Sequence, residues 1–533
     1  MSDNSEGAGV ASTAHSAAAT ATESFQDVRD LAFDPEVGHP RRKLILAIMC
    51  GALVLVVASV SSLNVAIPTI VRALDASQSE QLWIIDAYAL VFAGLLLPAG
   101  ALGDRYGRKK ALLLGLVIFG LASLVATLAD SPQQLIALRA VAGIGAAFIM
   151  PATLSIITVV FPPHERGKAI AAWAGFAGAG GALGPLASGA LLEYFWWGSV
   201  FFINVPIVVG MLIAVFFVVP RSREGDGVAL DPIGAVLSIL ALGSLVLGII
   251  EGPEWGWTDG RTLGVFALAA VAGVVFVNYE LRSDNPMLDP RLFRIRGFTI
   301  GALTITSAFM LLFGMFYVVT LYLQFVQGHS ALGAAVRQLP AAATMIIVAP
   351  RSPLLVDRFG AHRIVPAGFV LQAAGFGLMS TFAPDTAYAM LALALVLLAG
   401  GMAMMMPPTT EAIVSSLPRE KAGVGSAVND TVREVGGSIG IALIGALLAT
   451  GYRDGIADVI GRVPEQARAA VEDSIGGAYF VAAEAPGDFG QQLLEAAGSA
   501  YTNGMQLAFS VASAIALLTA VIVAWAHPGR HAA

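Results

Sequence analysis

Apolar residues follow one another in long unbroken runs along this chain, and the polar residues gather in short breaks between them. A helix needs about 20 apolar residues to cross the hydrocarbon core of a bilayer. By that measure the pattern predicts fourteen transmembrane helices, at residues 44–70, 81–102, 109–129, 133–159, 165–192, 199–219, 231–250, 262–281, 297–325, 332–355, 362–382, 386–414, 421–450 and 504–526. An even number puts both termini on one side. Cationic residues orient the set, because Lys and Arg accumulate in cytoplasmic loops. With the termini in the cytoplasm, five of the 30 Lys and Arg residues face outward (Arg72, Arg261, Arg453, Arg462, Arg468) and four lie within spans (Arg139, Arg337, Arg351, Arg433), leaving the rest cytoplasmic.

Composition sharpens this picture. Of 533 residues, 57% are hydrophobic and only 13% charged, about half the charged fraction of an ordinary soluble domain. Such a chain cannot cover itself with polar surface, so the expected class is an all-α polytopic membrane protein, placed by its loops in a plasma membrane. The single Cys50 excludes an intrachain disulfide. Residues 1–43 are rich in Ala, Ser, Thr and acids and end in "HPRRK", which reads as a disordered cytoplasmic tail; residues 527–533 read as a short second one.

An internal repeat follows. "LGDRYGRKKAL" after the second span matches "LVDRFGAHRIV" after the tenth, aligning Asp104 with Asp357; "PPHERGKA" matches "LPREKAGV", aligning Glu165 with Glu420. Two matches at nearly one offset predict duplicated six-helix bundles, 44–220 and 297–526, with two additional helices and their linkers at 221–296. Parallel repeats of this kind surround a midplane site in secondary transporters. The outer loop 451–503 has room for an amphipathic helix and carries no evident chemistry.

The motifs then point to a family. "GALGDRYGRKKAL", residues 100–112, resembles the loop signature of the major facilitator superfamily almost position for position. Gly100 and Gly107 permit a close approach and a tight turn, and Asp104 is suited to backbone N–H groups or a helix N-terminus. The resemblance implies that Gly100, Asp104, Arg105, Gly107 and Arg108 stabilise one face of an alternating-access cycle. "GAGGALGPLASG", residues 178–189, is similar to the superfamily's antiporter helix motif. In it Gly180 and Gly184 offer a small-residue face to a neighbouring helix and Pro185 bends the helix; Ser188 stands where glycine is usual. "LRAVAGIGAAF" is similar to the motif around a buried arginine that takes part in proton transfer, with Ala142 in place of Gln.

Fourteen spans together with these motifs resemble the 14-helix drug:proton antiporters that confer antiseptic and quaternary-ammonium resistance. The resemblance implies a major facilitator fold and proton-coupled, alternating-access export of lipophilic or amphipathic small molecules by a monomer. The proton would be the coupling ion, with no cofactor, no metal and no nucleic-acid partner. The first-span acid usual in the family is replaced by Ser59, so other intramembrane charges carry more weight. A charge in hydrocarbon is costly and needs a partner or a role.

Six such residues are the candidates for proton coupling or substrate binding: Asp86, Arg139, Asp430, Arg433, Glu434 and Glu411. Asp430 and Glu434 are four residues apart on one helix face, with Arg433 beside them. They form either a proton or substrate site or a closed cluster that only joins helices. Asp86 and Arg139 enter their helices from the outer side, ~7 and ~9 Å deep at 1.5 Å per residue, and are expected at comparable heights. Glu411 sits near a cytoplasmic helix end, suited to an exit path or an interface. Glu251 and Glu254 are expected just outside the membrane. "GGSIG", residues 436–440, fits a hydrolase pattern but lies within a helix rather than after a strand. No phosphate-binding loop is present for ATP-driven transport. Beside multidrug export, the sequence admits a dedicated exporter of one metabolite, lipid or self-made antibiotic, and less readily a membrane sensor or membrane-embedded enzyme.

Overall fold

A backbone in hydrocarbon must satisfy its own N–H and C=O groups, so each apolar run closes into a helix. The computed structural model describes residues 37–74, 76, 78–221, 231–284, 286–417, 422–484 and 488–526, and these contain helices and no strand. In chain order the long helices are α1 (Arg42–Leu74), α2 (Gln78–Tyr106), α3 (Arg108–Ala126), α4 (Pro132–Val160), α5 (Pro163–Tyr194), α6 (Asn204–Val218, preceded by the single turn Ser199–Phe202), α7 (Pro232–Trp255) and α8 (Gly260–Glu280). They continue with α9 (Arg296–Leu321), α10 (Leu332–Phe359, interrupted by short turns), α11 (Ala361–Met379), α12 (Tyr388–Ser415), α13 (Ala422–Ile460) and α14 (Phe489–Ala526). Thirteen are long and apolar enough to cross a membrane. The fourteenth, α11, is helical over 19 residues, but His362, Arg363 and Gln372 dilute its apolar character.

Local chemistry sets the breaks. Ser131 Oγ accepts the Gln134 N–H at 3.4 Å to start α4, and Asp231 Oδ1 accepts the Gly234 N–H at 2.7 Å to start α7. Between α2 and α3 the chain turns at Gly107 with φ 108°, and between α10 and α11 at Gly360 with φ 82°. Those left-handed values favour glycine. They fall at the same place in both copies of the repeated motif, Asp-Arg-aromatic-Gly. The second repeat match, at Glu420, lies outside the described residues.

Packing sorts the helices. α1 lies on α5 and α4 on both α2 and α3; in the second group α13 lies on α9 and α14, and α11 on α12 and α14. The groups meet where α13 crosses α2 and α4, and where α10 and α12 cross α5. α4 is the most enclosed, with 78% of its span buried, whereas α8, packed chiefly on α7, has 11%.

One expectation is refined. Segment 451–503, expected as an outer loop with room for an amphipathic helix, is a packed helical cap over its described residues. α13 and α14 run on past the apolar stretch and cross closely at Gly451 and Gly504, and two short helices, Glu465–Asp473 and Ile475–Glu484, join them. Ile456, Val463, Val471, Ile475, Ala478 and Leu493 form its core, and the Tyr452 hydroxyl donates to the Val471 carbonyl at 3.0 Å. Apolar-run counting misses such a cap because its apolar residues are spaced for a small aqueous-phase core. Glu251, expected just outside the membrane, lies one residue before the end of the apolar stretch Pro232–Gly252 and is buried within the protein at 4% exposure. The Glu254 side chain lies outside the described residues.

Candidate functional site

The charged residues of the membrane interior form two linked clusters where the helix groups meet. On α13, Asp430 Oδ1 accepts from Arg433 Nη1 at 3.3 Å and from Asn429 Nδ2 at 3.2 Å. Asp430 Oδ2 is buried with no hydrogen-bond partner among the described residues. The Arg433 guanidinium carbon lies 4.5 Å from the ring centre of Phe309 on α9 and 5.5 Å from that of Trp173 on α5. The Trp173 indole N–H donates to Thr153 Oγ1 of α4 at 3.2 Å. A cation of the second group is thus held on an indole of the first, and that indole is fixed by a third helix. A desolvated cation–π contact of this kind is worth about 2 kcal/mol.

The other cluster is built on α2 and α4. Arg139, at 2% exposure, lies 4.5 Å over the Tyr88 ring, and its Nε donates to the Ile84 carbonyl at 3.1 Å. Asp86 is half-buried and close enough for its charge to act on Arg139. α2 begins at Gln78 and its apolar span at Trp83, so Asp86 sits only ~5 Å into that span at 1.5 Å per residue. Half-buried Glu434 of α13 acts electrostatically on the same Tyr88. Tyr88 therefore feels both the Arg139 guanidinium of its own group and the Glu434 carboxylate of the other. Ser59, in place of the usual first-span acid, lines with Ser123 and Arg139 a cavity of about 10 Å³, room for roughly one water.

A separate contact closes the end of the helix groups that the sequence pattern predicts to be cytoplasmic. Asp104 on α2 is buried at 3% exposure. Its Oδ1 accepts from Arg108 Nε at 2.9 Å and from the Gly423 N–H at 2.9 Å, and its Oδ2 accepts from the Val424 N–H at 3.1 Å. A carboxylate of the first group thus caps the N-terminus of α13, where free N–H groups and the helix dipole favour negative charge. Glycine makes the approach possible: a Cβ on Gly100 would lie 2.6 Å from the Gly423 carbonyl oxygen, and a Cβ on Gly423 would lie 2.6 Å from the Asp104 carboxyl. Gly107 supplies the turn, and Arg105 is half-buried beside Tyr106.

Glu411 is half-buried at the corresponding end of α12, where Arg166 and Asp357 act on it electrostatically, and a Cβ on Gly167 would lie 2.7 Å from its Oε2. On α5, a Cβ on Gly180 would lie 3.0 Å from Val57 Cβ, while one on Gly184 would collide with the Ala58 carbonyl and Ser61. The two glycines let α5 lie directly on α1, and Pro185 lies within that helix. Sequence reasoning missed Tyr88, Trp173, Phe309 and Thr153. The only signal was an aromatic ring, Tyr88 or Trp173, among small residues in an otherwise featureless span.

Comparison with known proteins decides the family. The profile of the Major Facilitator Superfamily matches residues 49–441. The chain belongs to the major facilitator superfamily. It is 35% identical over 511 residues to the tetracenomycin C resistance and export protein of Streptomyces glaucescens, covering 94% of this chain and 95% of that one. It is also 35% identical over 479 residues to the multidrug efflux pump LfrA of Mycolicibacterium smegmatis (90% and 95% covered). The methyl viologen resistance protein SmvA of Salmonella typhimurium is 37% identical over 487 residues (90% and 97%). Among solved structures the fold is similar to the human organic anion transporter MFSD10, with a TM-score of 0.61 at 15% identity over 91% of this chain and 100% of that one. It is likewise similar to a bacterial homologue of the lysosomal transporter Spinster, with a TM-score of 0.55 at 20% identity over 92% and 99%. The protein is a multi-pass transporter-family member of the bacterial plasma membrane.

Proposed function

We propose that the chain is a proton-coupled antiporter that exports amphipathic small molecules by alternating access, with both termini cytoplasmic and the monomer as working unit. The observation that carries this reading is the charged seam between the helix groups: Arg433 of α13, paired with Asp430, rests on Trp173 of α5, and Glu434 acts on Tyr88, which lies under Arg139. A channel has no need of opposed ionisable groups across a moving interface, whereas an exchanger does. Ionised Asp430 holds Arg433 on the aromatic rings. A proton on its unpartnered oxygen weakens that hold, and a substrate that binds better to the unprotonated arrangement exchanges for the proton. Asp86 and Arg139 would balance the charge on the first group, and Glu411 would lie on the cytoplasmic path. Asp104, at the end of α2, would lock the cytoplasmic side while the cavity opens outward.

The relatives named for export and multidrug resistance support a drug-like cargo. The one named for a single antibiotic also supports a second reading, a dedicated exporter on the same fold. Growth of an efflux-deficient bacterial host expressing wild type or Asp430→Asn, across a panel of cationic and neutral amphipathic compounds, separates the two. Protection against several chemically unrelated compounds, lost in the variant, supports multidrug antiport, and protection against one supports the dedicated exporter. No protection against any compound, with the protein present in the membrane, rejects export of such compounds.

A further inference from the structure

Helix α8 presents most of its surface to the bilayer: Leu263, Leu268, Val271, Val274, Val275 and Val277 are all exposed. At the foot that the proposed orientation places in the cytoplasm, Val274, Val275, Asn278, Tyr279, Arg282 and Ser283 border an open surface groove of about 400 Å³, all on α8 and the turn that ends it. These residues form two rows at four-residue spacing, 274–278–282 and 275–279–283, so they share one helix face. Along each row the chemistry changes in step with depth. Valines come first, then an amide and a phenol one turn later, then a guanidinium and a hydroxyl after another turn. From Val274 to Arg282 the rise is ~12 Å, about the span from the upper acyl chain to the phosphate of a phospholipid.

Charge around the rim has the matching sign. Arg291 Nη2 donates to the Leu281 carbonyl at 3.1 Å, which brings a second guanidinium to the same foot. Arg294 and Arg296 follow, interleaved with exposed Phe293 and Ile295, the pattern of an interfacial segment. The nearby acids are buried or already engaged. Glu280 is buried at 1% exposure, Asp231 caps α7 and takes a hydrogen bond from Tyr279, and Asp289 caps the short turn at Pro290–Arg294 while its Oδ2 lies 3.9 Å from Arg291 Nη1, offsetting part of that charge. Asp284 is the exposed acid beside the arginines.

We infer that this groove is a binding site for an anionic phospholipid of the inner leaflet, with its phosphate at Arg282, Ser283 and Arg291 and its acyl chain against Val274 and Val275. The site gives the accessory pair α7–α8 an anchoring role distinct from the charged seam. Native mass spectrometry of the full-length protein in detergent, titrated with phosphatidylglycerol and with phosphatidylethanolamine, tests it. The wild type is expected to bind one phosphatidylglycerol more tightly than phosphatidylethanolamine, and millimolar inorganic phosphate is expected not to displace it. Arg282→Gln with Arg291→Gln is expected to weaken phosphatidylglycerol about 25-fold, since each surface guanidinium contributes about fivefold toward an anionic lipid. Val275→Trp, which fills the groove and keeps both arginines, is expected to weaken it as well. Equal binding of the two lipids, displacement by phosphate, or unchanged affinity in both variants would overturn the inference.

Discussion

Replacing Asp104 by Asn tests the cytoplasmic lock with almost no change in side-chain volume. The carboxylate accepts three hydrogen bonds, from Arg108 and from the Gly423 and Val424 amides. An amide retains one acceptor oxygen and turns an NH₂ group toward a donor. Loss of one bond to a charged acceptor removes about 1.5–3 kcal/mol, and loss of the charge at the α13 N-terminus removes about 0.3–1 kcal/mol more. The closed cytoplasmic arrangement should weaken by about 2–4 kcal/mol, or roughly 30- to 700-fold in its equilibrium with an open one. Double electron–electron resonance between spin labels at Lys110→Cys and Arg358→Cys, with Cys50→Ala, reads that equilibrium. Both label sites are exposed and flank the two turn glycines. The variant should populate a longer label separation that the parent lacks. An unchanged distance distribution would refute the assignment of Asp104 as the cross-interface cap.

Three further predictions concern packing and charge. Gly184→Val should lower the thermal midpoint in detergent, because overpacking costs about 1–3 kcal/mol. A Cβ on Gly181 would meet nothing within 4 Å, so Gly181→Ala should change the midpoint little, whereas Gly184→Ala should already lower it; equal effects would contradict the α1–α5 contact. Trp173→Leu removes the cation–π partner of Arg433 and should shift the same spin-label equilibrium about 30-fold, while Trp173→Phe should shift it about fivefold. A silent Leu variant would show that the ring contributes nothing across the interface. Burial, reinforced by Arg41, pushes the His39 imidazole below its ordinary 6.5, and its Nδ1 accepts the Arg41 amide at 3.1 Å. The depressed value means the neutral ring is the folded form. Docking of residues 37–41 is therefore complete above pH 6.5 and is lost as pH falls through the lowered value. Hydrogen exchange at the His39 amide, which donates to the Val160 carbonyl at 2.9 Å, should show less protection in acid once corrected for intrinsic rates, whereas His39→Gln should show no such dependence.

The legible parts of this protein were those fixed by the solvent. Hydrocarbon forces helices, so polar breaks in the sequence locate nearly every one of them. The turn at Gly107 was legible from its motif, and Gly360 takes the same place after Asp-Arg-Phe in the second copy of the repeat. Asp104 could be assigned to a helix N-terminus, but its actual partner is 319 residues away, a pairing no local pattern encodes. The aromatic rings that hold the arginines were hidden for the same reason. Trp173, Phe309 and Tyr88 look like ordinary apolar positions until α5, α9 and α2 are brought around Arg433 and Arg139. The packed cap at 451–503 was hidden because its core is assembled from separate short segments.

The central claim is that carboxylates at the seam between the helix groups couple proton movement to export. The direct measurement is proton release or uptake inside proteoliposomes containing the purified protein when an exported compound is added, with substrate flux recorded in parallel. The account predicts that wild type exchanges protons for substrate and that Asp86→Asn, Asp430→Asn and Glu434→Gln combined abolish the proton signal while the protein stays folded. Proton–substrate exchange of wild-type magnitude in that triple variant would contradict it.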